Sequence, residues 1–388
     1  MRLLRYLGNK TCTFLLLSLW IISTFDYLGA IISDETTILS VNKHQDHFIE
    51  QSLCSRQQIL NGLWVEETLP QAPYVRKHKN LRCPTYNQIP FHTWAWHPAD
   101  TSCQWTRWNA SLFCEKLAYA TISIIGDSLS WEHYSSLLGL LGETVRHKEQ
   151  FVSQQEERNY KRVACLSSVH QHGVKVIYRN DPYLKFLNAS IQEDFPLVIV
   201  LNRGAHYVPD RELRNSFQQT ILHLQAWQDT CQKSDLPCIL FWRTTVPGHV
   251  DCQSFSQPVN DLEAMEKYVA NHPTPYQWHQ FQQQNQLVLQ ELSASRLQYV
   301  ILDAYYLNIL RPDGHRMQKD IQHQNGTREI IDDCLHSCFP GSMDIYSQLL
   351  LHYLRIYRSE QDVKDFSLKF QSYAKVREKA SNEAITGR

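Results

Sequence analysis

Ser128, His336 and Asp333 are the residues of this 388-residue chain whose types and setting could do covalent chemistry. A serine hydroxyl is inert near neutral pH unless an imidazole takes its proton. That imidazole in turn needs a carboxylate to fix its tautomer and stabilise its cation. Asp333-Cys-Leu-His336 offers such a pair on one turn, within reach of a serine brought in by the fold. The chemistry would be acyl transfer through a serine ester. The competing readings are plain ones: Asp127 or Ser128 as a helix cap, Asp333 as a turn cap with Asp332 as its substitute, and His336 as a surface histidine.

The elements around Ser128 suit the chemical reading. Thr121-Ile-Ser-Ile-Ile125 is a β-branched run that reads as a buried strand, and Gly126 permits a sharp turn. From Leu129 the apolar residues return at helical spacing through Tyr134, Leu137, Leu138 and Leu141. Ser128 thus stands at the carboxyl edge of a strand and the amino end of a helix, where unpaired N–H groups and the helix dipole stabilise an oxyanion. Further strands are expected at Val174–Tyr178, Leu197–Leu201, Cys238–Trp242 and Tyr299–Leu302, with helices at Leu213–Thr230 and Tyr276–Ser295 between them. Such alternation implies a parallel sheet covered on both faces, with ligands bound beyond the carboxyl ends of its strands. Arg179, Asn180, Asp181, His206, Arg243 and His249 follow those ends. They are candidates for gripping a ligand's hydroxyls or carboxylate, or else members of structural ion pairs.

With 43% hydrophobic and 20% charged residues the chain can bury a sizeable core. A formal net charge of −1 gives no field for a polyanion, so nucleic acid is not an expected partner. Arg2, Arg5 and Lys10 precede an apolar run, residues 12–32, that reads as a signal anchor leaving residues 1–11 cytosolic and the rest lumenal. A cleaved signal peptide ending near Leu28-Gly-Ala30 is the alternative. Residues 33–51 read as a stem and 357–388 as a polar tail. Of 11 cysteines, Cys12 lies in the apolar run and the remaining even set fits disulfides in an oxidising compartment. Cys334, His336 and Cys338 lack a second cluster to complete a tetrahedral site, so no metal is assigned. Acceptor triplets for glycosylation begin at Asn109, Asn188 and Asn325.

The motifs Ile125-Gly-Asp-Ser-Leu129, Leu201-Asn-Arg-Gly-Ala-His206, Trp242-Arg-Thr-Thr-Val-Pro-Gly-His249 and Asp333-Cys-Leu-His336 with Cys338-Phe-Pro-Gly341 occur in that order. Together they resemble the SGNH/GDSL hydrolase superfamily, and within it the PC-esterase branch that contains the trichome-birefringence-like polysaccharide O-acetyltransferases of plants. The resemblance implies a three-layer α/β/α sandwich with a central parallel sheet over residues 118–356, preceded by a cysteine- and tryptophan-rich segment, 52–117, that wraps it. Trp94, Trp96, Trp105 and Trp108 of that segment are either a sugar-stacking surface or its core. Ser128 is implied as nucleophile, His336 as base and Asp333 as its orienting carboxylate. The Ser128 N–H and the Asn202 amide would form an oxyanion hole, with Gly204 letting backbone approach.

The implied activity is transfer of an acetyl group to a polysaccharide or glycan hydroxyl in the Golgi lumen. No cofactor is bound; the co-substrate is acetyl-CoA or an acetyl group relayed by a membrane partner. An esterase with the same triad, or a glycan-binding protein with a dead site, are the alternatives. The chain departs from the plant pattern twice. Trp131-Glu-His133 follows Ser128 where plant members carry Asn-Gln, and Ser337 rather than tryptophan follows His336.

Overall fold

The structure, a computed structural model, describes residues 52–67, 81–82, 93–117, 120–142, 150–151, 159–166, 173–322 and 326–357. The expected anchor, stem and polar tail beyond Tyr357 lie outside them. Among the described residues no helix is long and apolar enough to cross a membrane.

The amino-terminal segment holds helix α1 (Arg56–Leu60), strands β1 (Gly62–Glu66), β2 (Leu81–Arg82) and β3 (Trp94–Pro98), and helix α2 (Ala110–Lys116). β1 and β3 pair antiparallel, putting Trp64 against Trp96 edge to face at 5.7 Å. Trp96 is buried, and Trp94, Trp105 and Trp108 are half-buried against the core, so these tryptophans fill the segment rather than form an exposed stacking surface. Disulfides Cys54–Cys103 and Cys114–Cys165 close it.

The central sheet begins with β4 (Thr121–Gly126), and helix α3 (Ser128–Leu141) follows it. Next come β5 (Gln150–Phe151), β6 (Tyr160–Ala164), β7 (Val174–Asn180), helix α4 (Leu187–Asp194), β8 (Val198–Leu201), helix α5 (Asp210–Lys233) and β9 (Ile239–Arg243). Helices α6 (Leu262–Asn271) and α7 (Phe281–Ser293), β10 (Val300–Leu302) and α8 (Ala304–Asn308) complete this part. The strand order is β10-β9-β8-β4-β7-β6-β5. The run from β10 to β7 is parallel, as expected from the apolar strands. Numbered among themselves, these parallel strands run 2-1-3-4-5, the doubly wound order whose switch point flanks its first strand. β5 and β6 depart from the expectation and pair antiparallel. The link from Ala164 to Val174 is too short for the crossover that a parallel pair requires.

Alternation along the strands divides the interior into two layers. Ile122, Ile124, Val198, Val200 and Phe241 face Leu129, Leu137 and the apolar side of α9 (Asp344–Tyr357). Ile125, Ile199, Leu201, Leu240 and Trp242 face α4, α5 and α7 through Leu187, Phe217, Leu224, Trp227 and Leu292. Residues of the amino-terminal segment, among them Ile59, Trp64 and Phe113, lie in the first of these clusters, so segment and sheet share a core.

Between β10 and α9 the chain makes a hairpin of β11 (His315–Gln322) and β12 (Arg328–Ser337), with β2 on its edge. Asp333 and His336 therefore lie on a strand, not on the turn their spacing suggested. The strand is irregular: His315 pairs with Ser337 but Met317 with Asp333, so Arg316 faces the whole stretch from Cys334 to His336. Such a bulge re-aims side chains, and here it gathers Asp333 and His336 on one side.

Candidate active site

β4 is buried along its whole length and ends at Gly126, whose φ of +151° is in the region that favours glycine. A Cβ there would come within 2.4 Å of Ser130 Oγ and 2.8 Å of the Asn202 carbonyl oxygen. Gly126→Ala is therefore expected to destabilise the protein by about 2–4 kcal/mol. Gly142→Ala, at φ +56° in open space, should cost about 1 kcal/mol. Denaturant midpoints of the two variants check the pair.

Asp127 caps α3, its Oδ1 accepting the Leu129 N–H at 2.9 Å. The capping reading thus holds for Asp127, and it leaves the Ser128 hydroxyl for another partner. Ser128 Oγ lies 2.8 Å from His336 Nε2, and His336 Nδ1 lies 2.8 Å from Asp333 Oδ1 and 3.0 Å from Oδ2. A carboxylate accepts only, so Nδ1 carries the proton and Nε2 is left to accept from the serine hydroxyl. Asp333 Oδ1 also accepts the His336 backbone N–H at 3.2 Å, which holds carboxylate and imidazole as one unit.

The bulged strand is held from behind at several points. Cys334 is disulfide-bonded to Cys252, its carbonyl accepts the His249 N–H at 2.9 Å, and the Cys338 N–H donates to Gly314 O at 2.8 Å. Cys338 is also in a disulfide, so neither flanking cysteine is a free thiolate. Gly248 packs directly on the Cys334 carbonyl, where a Cβ would approach to 2.6 Å. The Ser337 N–H donates to Glu132 Oε2 at 3.1 Å. That bond joins the two stretches in which the chain departs from the plant pattern.

The Ser128 N–H opens α3 and has no partner among the described residues, leaving it free for an oxyanion. Asn202 is placed differently from expectation. Both hydrogens of its amide are engaged, to Arg243 O at 2.9 Å and Thr245 Oγ1 at 2.9 Å, so the side chain braces the ends of β8 and β9 instead of pointing a donor outward. Gly204 belongs to the same packing, its missing Cβ leaving room for the Thr245 hydroxyl.

Most of the expected substrate-gripping residues are turned inward. Arg179 is buried and ion-paired with Glu193, at 2.6 Å, and with Asp194. Asp181 accepts the Lys185 and Phe186 N–H groups at 2.8 and 2.7 Å and shapes the approach to α4. Arg243 is wholly buried, with Nη2 donating to Ser130 Oγ at 3.0 Å and its guanidinium over the Tyr346 ring. His249 is also buried, its Nδ1 2.6 Å from His315 Nε2 and its Nε2 2.7 Å from Ile309 O, and burial pushes it down to about 4. For these the ion-pair or structural alternative is the one observed. His206 is exposed beside Tyr183, and Asn180 is half-buried near the Tyr178 hydroxyl.

Sequence reasoning gave no site role to Glu132, His133, His315 or Tyr346, all of which are buried polar residues of this region. Burial and the Arg243 charge hold His133 well below its ordinary value, and burial raises the Tyr346 phenol. For Glu132, His133 and His315 the signal was a charge or an imidazole within α3 and at the start of β11; Tyr346, on the apolar face of α9, gave none.

A doubly wound α/β sheet with a serine at the switch point, its hydroxyl on an imidazole backed by a carboxylate, is the arrangement of an SGNH-like fold. Comparison with known proteins agrees. Residues 185–353, which include Asp333 and His336, match the PC-Esterase model, described as a GDSL/SGNH-like acyl-esterase family found in Pmr5 and Cas1p. The chain is 23% identical to protein trichome birefringence-like 20 of Arabidopsis thaliana over 76% of its own length and 71% of that protein's. It is 23% identical to xyloglucan O-acetyltransferase 1 of Arabidopsis thaliana, covering 80% of this chain and 82% of the relative. With xyloglucan O-acetyltransferase 4 of Populus trichocarpa it shares 21% over 88% and 90%. These matches support the PC-esterase branch, the resemblance drawn from the motifs.

Proposed function

We propose that the protein transfers an acetyl group to a hydroxyl of a polysaccharide or glycan by double displacement at Ser128. The observation that carries this reading is the chain of hydrogen bonds from Ser128 Oγ through His336 to Asp333. Ser128 Oγ attacks the acetyl carbonyl of the donor while His336 Nε2 takes its proton, and the Ser128 N–H receives the negative charge that develops on the carbonyl oxygen. Collapse expels the donor's leaving group, which takes the proton from His336. A sugar hydroxyl then gives its proton to the same nitrogen and attacks the acetyl ester; collapse breaks the bond to Ser128 Oγ, which takes that proton back from His336, so serine and neutral imidazole are regenerated. Asp333 stabilises the imidazolium in both halves. The donor is acetyl-CoA or an acetyl group passed on by a membrane protein, and this route calls on no metal and no bound cofactor.

The acceptor class follows from the relatives, two of which are named xyloglucan O-acetyltransferases. The departures around Glu132 and Ser337 argue against carrying a plant acceptor over unchanged. Disulfides at Cys54–Cys103, Cys114–Cys165, Cys231–Cys238 and Cys252–Cys334 suit the secretory pathway, and with residues 12–32 as anchor the site would face the Golgi lumen. His336 keeps 19% of its side-chain surface exposed, so water competes with the sugar for the acetyl-enzyme.

The test is a partition experiment. The protein is incubated with a donor labelled in the acetyl group and a panel of neutral and acidic oligosaccharides, and label is followed on sugar and as free acetate. Label on one sugar class establishes transfer and names the acceptor. Free acetate alone, unchanged by any sugar, makes the enzyme a hydrolase; no release of label from any donor overturns the reading.

A further inference from the structure

Ser128 and Glu132 stand one turn apart on α3 and therefore on one face of it. Each is bonded to β12. Ser128 Oγ lies 2.8 Å from His336 Nε2, and Glu132 Oε2 accepts the N–H of the next residue, Ser337, at 3.1 Å. Glu132 is completely buried. A carboxylate is costly to bury unless it is paired and hydrogen-bonded, so a residue with no task here would be apolar. Beside it, Arg243 packs on the Tyr346 ring and reaches Ser130 Oγ on α3 at 3.0 Å.

The two bonds act together. One contact between a helix and a strand lets the strand swing about it, whereas two contacts a turn apart fix its distance and direction. The part of β12 concerned is the end of the bulge: the ladder to β11 is interrupted over Cys334 to His336 and resumes at Ser337, opposite His315.

Resting on the reading of Ser128 as nucleophile and His336 as base, we propose that Glu132 is a positioning residue that sets the reach of His336 to Ser128 by anchoring the Ser337 N–H to the helix that carries the nucleophile. Glu132 touches neither donor nor acceptor. Its loss leaves binding intact and lets the imidazole drift, and a displacement of about 1 Å at reacting atoms can cost about 100-fold in rate.

The experiment compares Glu132→Ala, Glu132→Gln and Glu132→Asp with the wild type and Ser128→Ala. Each full-length protein is checked by circular dichroism, then assayed for kcat and KM of donor turnover and for the rate of Ser128 labelling by a fluorophosphonate. Glu132→Ala is expected to lower kcat and the labelling rate together by about 10–100-fold with KM within about twofold. Glu132→Gln, which keeps the length and an acceptor oxygen, should recover most of the loss. Glu132→Asp keeps the charge but withdraws it by one methylene, and should fall at least about tenfold. The aspartate and glutamine variants decide the matter if the alanine variant does not fold. Wild-type kcat in Glu132→Asp or Glu132→Ala, beside an inactive Ser128→Ala, overturns the role of Glu132 and leaves the serine reading standing. Full activity in Ser128→Ala overturns the reading beneath it instead.

Discussion

Ser128→Ala is expected to lower turnover of the acetyl donor by about 10⁴–10⁶-fold, with the fold unchanged. The side chain is half-buried, and among the described residues its hydroxyl bonds only His336, so its removal exposes no buried partner and leaves no cavity of consequence. Asp127 continues to cap α3 and the His336–Asp333 unit keeps its own hydrogen bonds. What disappears is the acyl-enzyme, and with it both half-reactions. His336→Ala should match the loss, and the double variant should lose no more than either single one, because nucleophile and base act as a unit. Single-turnover transfer of label, read beside a thermal melt, checks all three proteins. Retention of a tenth of the activity in Ser128→Ala, with a native melt, would place the nucleophile elsewhere.

The parts of this architecture that could be read from the chain are those where the local pattern and the tertiary structure ask for the same thing. β4, β7, β8, β9 and β10 are short, largely apolar and largely buried runs, and each lies within two residues of where the run placed it. Ser128 was legible because Gly126, Asp127 and the first apolar turn of α3 together spell a strand, a turn and a capped helix. The hairpin of β11 and β12 was not, because neither strand carries a continuous apolar run and their ladder is broken at the bulge. Asp333 and His336 could be named from spacing, yet the same spacing suggested a turn where a bulged strand does the work. Arg179, Arg243 and His249 show the opposite failure. They follow strand ends as cleft residues do, but a position along the chain does not say which way a side chain points, and Glu193, Ser130 and His315 hold them inward. Glu132 was visible as a departure from the plant pattern, though only its bond to Ser337 gives the departure a physical meaning.

The inward histidines carry the second large effect, a loss of stability in mild acid. His352 on α9 is buried between the amino-terminal segment and the core, with Nε2 donating to Cys54 O at 2.8 Å and Nδ1 accepting the Thr106 N–H at 3.3 Å. It is therefore neutral, and burial lowers it to about 4; His249, behind the strand of His336, is lowered to about 4 by burial as well. In the unfolded chain both titrate near about 6.5. Between those values the unfolded state binds more protons than the folded one, so stability falls as pH drops through 6.5 and stops falling, for these groups, below about 4. Each contributes a loss of about 3 kcal/mol across that window. His133 and His315 are lowered in the same direction by burial and deepen the fall. Against a net stability of about 5–15 kcal/mol, this is enough to bring the melting temperature down steeply between pH 6.5 and 4. Carboxylates held low by their partners, such as Glu67 and Asp229, add their share only at the acid end of that range and below it. His352→Gln separates the contributions, since the amide can still donate to Cys54 O and accept from Thr106 N–H but does not titrate. Its melting temperature should fall less between pH 6.5 and 4 than that of the wild type. An unchanged slope would mean that His352 charges freely in the folded protein, and that the amino-terminal segment is not locked to α9 through a neutral imidazole.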